Sequence, residues 1–89
     1  MSIINCTQDL GAEIRAARKH LGLTQSDLAL AAGVGLRFIV DLERGKPTAH
    51  LAKTLQVIHS LGGVIEITGL KVKGAVESKK SGTKTQVNI

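Results

Sequence analysis

The stretch Gln25-Ser26-Asp27-Leu28-Ala29-Leu30-Ala31-Ala32-Gly33-Val34-Gly35-Leu36-Arg37-Phe38-Ile39-Val40-Asp41-Leu42 decides the fold. Ala29 stands four residues before Gly33, Ile39 six after it, and Leu42 three further on. Each position has a mechanical reason. A small side chain at Ala29 admits a second helix at close range, Gly33 permits a left-handed turn without a Cβ clash, and Ile39 with Leu42 bury against the preceding helix. This is helix-turn-helix spacing, with the second of the two helices running from about Leu36 to Arg44. Val34, Ile39 and Leu42 point inward along it, and Gly45 stops it.

Working outward toward the N-terminus, Leu10, Ile14, Ala17 and Leu21 recur at the spacing of one helical stripe, with Thr7 as the expected cap and Gly22 as the terminator. Thr24 is the expected cap of the next helix. Leu23 and Leu28 flank it as a hydrophobic staple, and Asp27 stands where a capping box would carry Glu or Gln, its charge still suiting the positive helix end. On the other side, Pro47-Thr48 predicts a fourth helix that reads through Leu51, Leu55, Ile58 and Leu61 to Gly62-Gly63. Val57 and Leu61 widen its apolar stripe, which fits either a second buried contact or a generous core face.

Val64-Ile65-Glu66-Ile67-Thr68 is β-branched and lacks a helix cap, so it reads as a strand. One strand cannot stand alone. It is expected to pair with its symmetry mate across a dimer axis through Val64, Ile65 and Ile67, or to fold back on residues 70–73 through Thr68-Gly69. The fold class expected is therefore all-α, a small bundle of four to five helices with a phage-repressor-like helix-turn-helix and one C-terminal strand. Its domain would span residues 7–68, followed by a flexible basic tail over 69–89.

Length and charge bound the function. Eighty-nine residues suffice for one small domain, and 43% hydrophobic content with a mean hydropathy of +0.13 lies far from the composition of disorder. No apolar run approaches the ~18 residues of a membrane span, and the N-terminal residues lack a basic and apolar leader pattern, so a cytoplasmic protein with no membrane partner is expected. The net charge of +5 is unevenly spread. Residues 1–69 hold seven Lys/Arg against six Asp/Glu, whereas residues 70–89 hold five Lys against one Glu. Charge alone therefore does not establish a DNA partner. Catalysis is not expected: His20, His50 and His59 are not at i, i+4 spacing, Cys6 has no histidine nearby in sequence, and a nucleotide-binding glycine fingerprint is absent. Neither a metal nor another cofactor is called for.

A DNA-reading face follows from the third helix itself. Burying Ile39 and Leu42 leaves Leu36, Arg37, Val40, Asp41 and Arg44 outward, the face that would enter a major groove. The planar fork of Arg37 matches guanine O6 and N7, and Leu36 and Val40 can meet thymine methyls. Asp41 would be repelled by phosphates, so it either accepts from cytosine N4 or, one turn from Arg37, holds that guanidinium; the second role is favoured. Lys46 and Thr48, in the turn after this helix, are placed for phosphate contact.

The flanks carry a resemblance. Ile14-Arg15-Ala16-Ala17-Arg18-Lys19-His20-Leu21-Gly22-Leu23-Thr24-Gln25-Ser26-Asp27-Leu28-Ala29, then Gly33-Val34 and Leu42-Glu43-Arg44-Gly45-Lys46, resembles an XRE-type helix-turn-helix domain over about residues 8–62. Within that group, Arg37-Phe38-Ile39 and Glu43 to Ala49, with a strand after the fourth helix, are similar to HipB-like antitoxins. The resemblance implies a homodimer that represses its own operon at an inverted-repeat operator in double-stranded DNA and binds a HipA-like Ser/Thr kinase toxin. It also implies a DNA contact at the start of the second helix, Thr24 and Gln25, and a structural ion pair between Arg18 and Glu43. A stand-alone XRE-type repressor, or an interaction module that keeps the fold without DNA binding, is the alternative.

Overall fold

The structure, a computed structural model, describes residues 3–71. Four helices follow one another, α1 (Thr7–His20), α2 (Gln25–Ala32), α3 (Leu36–Glu43) and α4 (Leu51–Ser60). All four end the same way, with a glycine at positive φ just past the last turn: Gly22, Gly33, Gly45 and Gly62. At α3 the Lys46 N–H bonds back to the Asp41 carbonyl at 3.0 Å and the Gly45 N–H to that of Leu42 at 3.0 Å. This pair of closing bonds satisfies carbonyls that the helix leaves open, and a side chain at φ +86° would be strained there.

Helix starts divide into those sealed by side chains and those that are not. Thr24 caps α2 as expected, and Asp27 completes a reciprocal box: the Asp27 N–H donates to Thr24 Oγ1 at 3.0 Å and the Thr24 N–H to Asp27 Oδ2 at 2.9 Å. The backbone donor of Thr24, then its side chain, holds the Asp27 carboxyl below its usual value. Thr7 departs from expectation. Cys6 occupies the cap position of α1 without a side-chain bond, while Thr7 is already helical and its hydroxyl donates to the Gly45 carbonyl at 2.7 Å. The fourth helix also starts later than Pro47-Thr48 suggests. His50 is its cap, with Nδ1 accepting from the Lys53 N–H at 3.3 Å, and Pro47-Thr48 forms a turn instead.

The core is built from Ile14 of α1, Leu28, Ala29 and Ala32 of α2, Ile39 and Leu42 of α3, and Val57 and Ile58 of α4. Leu10, Val34, Phe38, Ala49 and Leu61 pack around it. The central helix is α2, which packs on both α3 and α4, while α1 rests on α3. The inward face of α4 is Thr54, Val57 and Ile58; the expected stripe residue Leu51 is 70% exposed. Leu21 is likewise exposed, because Gly11, Ile14 and Arg18 form the buried line of α1. Gly11 is the hinge of that arrangement: a Cβ there would lie 2.5 Å from the Leu42 carbonyl oxygen and 2.7 Å from that of Glu43. Only a glycine lets α1 sit on the end of α3.

No strand forms among the described residues, so the expected strand 64–68 has no partner among them. Residues 64–71 run exposed, with Val64 at 83%. The hairpin alternative through residues 70–73 and most of the expected tail 69–89 lie outside the described residues.

Gly11→Ala gains about 1 kcal/mol of helix propensity but forces a methyl onto backbone carbonyls, a type of overpacking that costs about 1–3 kcal/mol. The urea midpoint is expected to fall; a rise, the outcome propensity alone dictates, would show that α1 and α3 separate easily.

Candidate nucleic-acid interface

The two faces of α3 separate as its amphipathic sequence requires. Ile39 and Leu42 are buried, Leu36, Arg37 and Arg44 are exposed, and Val40 and Asp41 are half-buried at the boundary. All five residues expected to face outward thus share one accessible side of a helix whose back is pinned to the core. Arg37 leaves 79% of its side chain open, with Nε 3.3 Å from Asp41 Oδ1. The other oxygen of the same carboxylate, Oδ2, lies 3.6 Å from Lys46 Nζ. Arg37 and Asp41 pair along the helix as their i, i+4 spacing allows. Lys46 reaches Asp41 by a different route, because the bond from its N–H to the Asp41 carbonyl turns the chain back over the last turn of α3. Thr48 is exposed in the turn beyond.

Behind this surface, Glu43 ties three helices together. Its carboxylate takes Arg18 in a two-point grip, Nε to Oε2 at 2.7 Å and Nη2 to Oε1 at 3.0 Å. The remaining Arg18 contact, Nη1 to the Leu23 carbonyl at 2.8 Å, reaches into the turn before α2. Gln25 Nε2 then donates to Glu43 Oε1 at 3.2 Å from the first residue of α2. Such fork-to-carboxylate bonds are short and roughly twice as strong as neutral ones. The hydrogen bond to Glu43 raises the Arg18 pKa, burial opposes that rise, and the carboxylate charge adds to it. The raised pKa keeps the Arg18 guanidinium charged throughout the ordinary pH range, so its side of the pair is not discharged there.

The structure brings most of the sequence-expected residues together, and five of them have other surroundings than expected. Thr24 spends its oxygen on the Asp27 N–H, and the amide nitrogen of Gln25 is turned toward Glu43. Both stand at the N-terminal end of α2, but each has a structural duty there. Val64, Ile65 and Ile67 lie exposed beyond α4, without pairing among the described residues. Two features escaped the sequence: the salt bridge from Lys46 to Asp41, and Lys53 Nζ, 5.9 Å from the centre of the Phe38 ring. The first was signalled by Gly45, since a left-handed glycine returns the next residue over the helix end. Among the described residues no group of three or more His, Cys, Asp or Glu could hold a metal, and no helix is long and apolar enough to cross a membrane.

Comparison with known proteins gives a consistent picture. The helix-turn-helix family profile HTH_3 matches residues 14–57. Over 64 residues, 72% of this chain and 84% of the relative, the sequence is 56% identical to y4mF of Sinorhizobium fredii, described as an uncharacterized HTH-type transcriptional regulator. A second HTH-type transcriptional regulator, from Haemophilus influenzae, is 32% identical over 63 residues, 71% of this chain and 64% of the relative. Among solved structures, the HipB–O4 20mer complex superposes with a TM-score of 0.73 at 22% identity, covering 80% of this chain and 100% of that one. The HipA–HipB–O2–O3 complex gives 0.72 at 22% identity, with coverage of 80% and 100%. At these identities the two structures establish a shared fold.

Replacing Glu43 with Ala leaves the buried Arg18 guanidinium without its acceptors. Removing one partner of a buried pair costs about 3–5 kcal/mol. Urea unfolding is expected to show a loss of that size; a loss under about 1 kcal/mol, the worth of an exposed pair, would mean that water already screens this one.

Proposed function

This chain belongs to the XRE-type helix-turn-helix family of DNA-binding transcriptional regulators, not of enzymes, and from that premise we propose that it is a sequence-specific repressor that binds an inverted-repeat operator as a homodimer. The observation that carries this reading is the exposed side of α3. It offers one planar cation, Arg37, two apolar residues, Leu36 and Val40, and a second cation, Arg44, on a helix whose opposite face is buried in the core. Arg37 is suited to the O6/N7 edge of guanine and the aliphatic residues to thymine methyls, whereas Arg44, Lys46 and Thr48 are placed to hold phosphates. Gln25 contributes through its carbonyl or by exchanging Glu43 for the backbone, with Thr24 fixing the helix end beside it.

Dimerisation is supported by the exposed apolar run Val64, Ile65, Ile67 and Leu70, which follows α4 and has no cover among the described residues. A β-branched segment of this kind satisfies its backbone by pairing with a copy of itself. We further read the protein as the antitoxin of a HipA-like Ser/Thr kinase toxin that represses its own operon. Support for that comes from the sequence resemblance around Arg37-Phe38-Ile39 and Glu43 to Ala49 and from the fold shared with HipB, which one of the solved structures holds together with HipA.

The test of DNA binding uses the protein's own upstream DNA against random duplex, by fluorescence anisotropy over a range of salt. Arg37→Ala is expected to cost about 1–3 kcal/mol on the cognate site and to relax one base position, whereas Lys46→Ala weakens all sequences alike and shallows the salt slope by about one. Equal losses on cognate and random DNA for Arg37→Ala would remove it as the base reader.

For the dimer, Ile65→Pro removes a ladder donor from the middle of the segment. Sedimentation is expected to show monomers. A variant that stays dimeric would place the interface elsewhere.

A further inference from the structure

Asp41 is poorly placed to stabilise the helix that carries it. It sits in the last turn of α3, where the negative end of the helix dipole disfavours a carboxylate. Its partner Arg37 precedes it, and a base before an acid at i, i+4 is the weaker of the two orders. A negative charge on a face meant for phosphates also weakens binding in general. Helix stability and bulk attraction to DNA both argue against this residue, yet its carboxylate is only 20% exposed and lies between two cations, Arg37 Nε at 3.3 Å and Lys46 Nζ at 3.6 Å.

We propose that Asp41 is a specificity-determining positioning residue, a single carboxylate shared by the base-reading Arg37 and the phosphate-binding Lys46. The inference rests on the DNA-binding reading above and deepens it. The closest contact to Arg37 is at Nε, the guanidinium nitrogen nearest the main chain, while 79% of the side chain remains open; the terminal NH2 pair is therefore presented to a base edge rather than free to swing onto the nearest phosphate. Lys46 plays the other part. Its distance to Asp41 is longer and 51% of its side chain is exposed, so a phosphate can take it over when the turn meets the backbone. On any DNA Lys46 passes to a phosphate and the carboxylate is left to Arg37 alone. On random DNA it holds that guanidinium away from phosphates and cancels about one positive charge; on the operator the same hold pins the fork at the guanine. Asp41 thus acts mainly by lowering affinity for the wrong sequence, and discrimination rises because the competitor is penalised.

Asp41→Asn keeps the shape and removes the charge. Salt-dependent binding to random duplex and to the protein's upstream DNA, together with ¹⁵N relaxation of the Arg37 Nε–H in the free protein, tests the proposal. The variant is expected to bind random DNA about eightfold more tightly at about 0.1 M salt, with a log–log slope steeper by about 0.9, the effect of one more phosphate contact. The ratio of cognate to random affinity is expected to fall by at least about fivefold, the lower worth of one bidentate base contact, and Arg37 Nε becomes more mobile. In an Arg37→Ala background the Asp41→Asn change is expected to leave that ratio where it was. An unchanged Arg37 mobility overturns the clamp without reference to DNA, and so does an unchanged ratio or an equal weakening on both DNAs. A wild-type protein that fails to distinguish the two DNAs overturns the repressor reading, and the specificity role with it.

Discussion

The grip of Glu43 on Arg18 is the constraint on which the rest of the molecule depends. Each helix here is short, between 8 and 14 residues, and helices of such length are marginal alone in water. Their packing supplies an apolar centre of eight buried residues, which fixes that the helices associate but leaves their mutual angles adjustable. Directional bonds remove the adjustment. Arg18 reaches from α1 to the last residue of α3 and to the Leu23 carbonyl, while Gln25 arrives at the same carboxylate from α2. Three elements are thereby triangulated on two oxygens. The Thr7 hydroxyl on Gly45 and the close seat of Gly11 against Leu42 and Glu43 reinforce the same junction at its other end.

The geometry of that junction explains why the outward face of α3 can be both exposed and braced. Val40 and Asp41 lie at the border between core and solvent, and the outward residues of α3 ride on a backbone braced on its inner side. The cost of presenting aliphatic Leu36 to water is small against the burial of Ile39 and Leu42 on the opposite side. In the proposed reading, a braced helix would let these side chains enter DNA with little further ordering of the main chain, and pre-organisation of this kind converts contacts into affinity more fully than a loop would.

How much of this could be read in advance differs from element to element. The helix-turn-helix pair was legible from Ala29, Gly33, Ile39 and Leu42, because the constraint there is local: a turn of fixed length between two faces. Helix ends were legible wherever a glycine supplied them, and the Thr24 cap was legible together with its Asp27 partner. The start of α4 was not. Pro47 suits a first helical turn in isolation, but the closing bond from Lys46 to Asp41 and the Thr7 contact at Gly45 hold the chain at the end of α3, and residues 47–50 are spent travelling to where α4 can pack on α2. Gly11 was invisible for the same reason, since its requirement is the approach of carbonyls 31 and 32 positions later. On α3 the outward set followed from periodicity and the turn of Lys46 toward Asp41 was signalled by Gly45, whereas the turn of Gln25 toward Glu43 depends on a contact between elements that no spacing encodes. The segment 64–68 shows the limit most clearly, because a strand needs a neighbour and one chain supplies none among the residues described.

The glycine closures have a consequence for how such a molecule changes over generations. Every turn between its helices is sealed by main-chain bonds around a glycine, and the side chains that add to two of them, Thr7 at Gly45 and Arg18 at Leu23, come from α1 and not from the outward face of α3. The outward residues of α3 are similarly free of scaffolding duties: Leu36, Arg37 and Arg44 contribute nothing to the buried centre. Recognition and architecture are therefore written in separate letters of the same short text. A duplicated gene can alter the first set one substitution at a time, remain folded at each step, and arrive at a different stretch of DNA without ever passing through a misfolded ancestor.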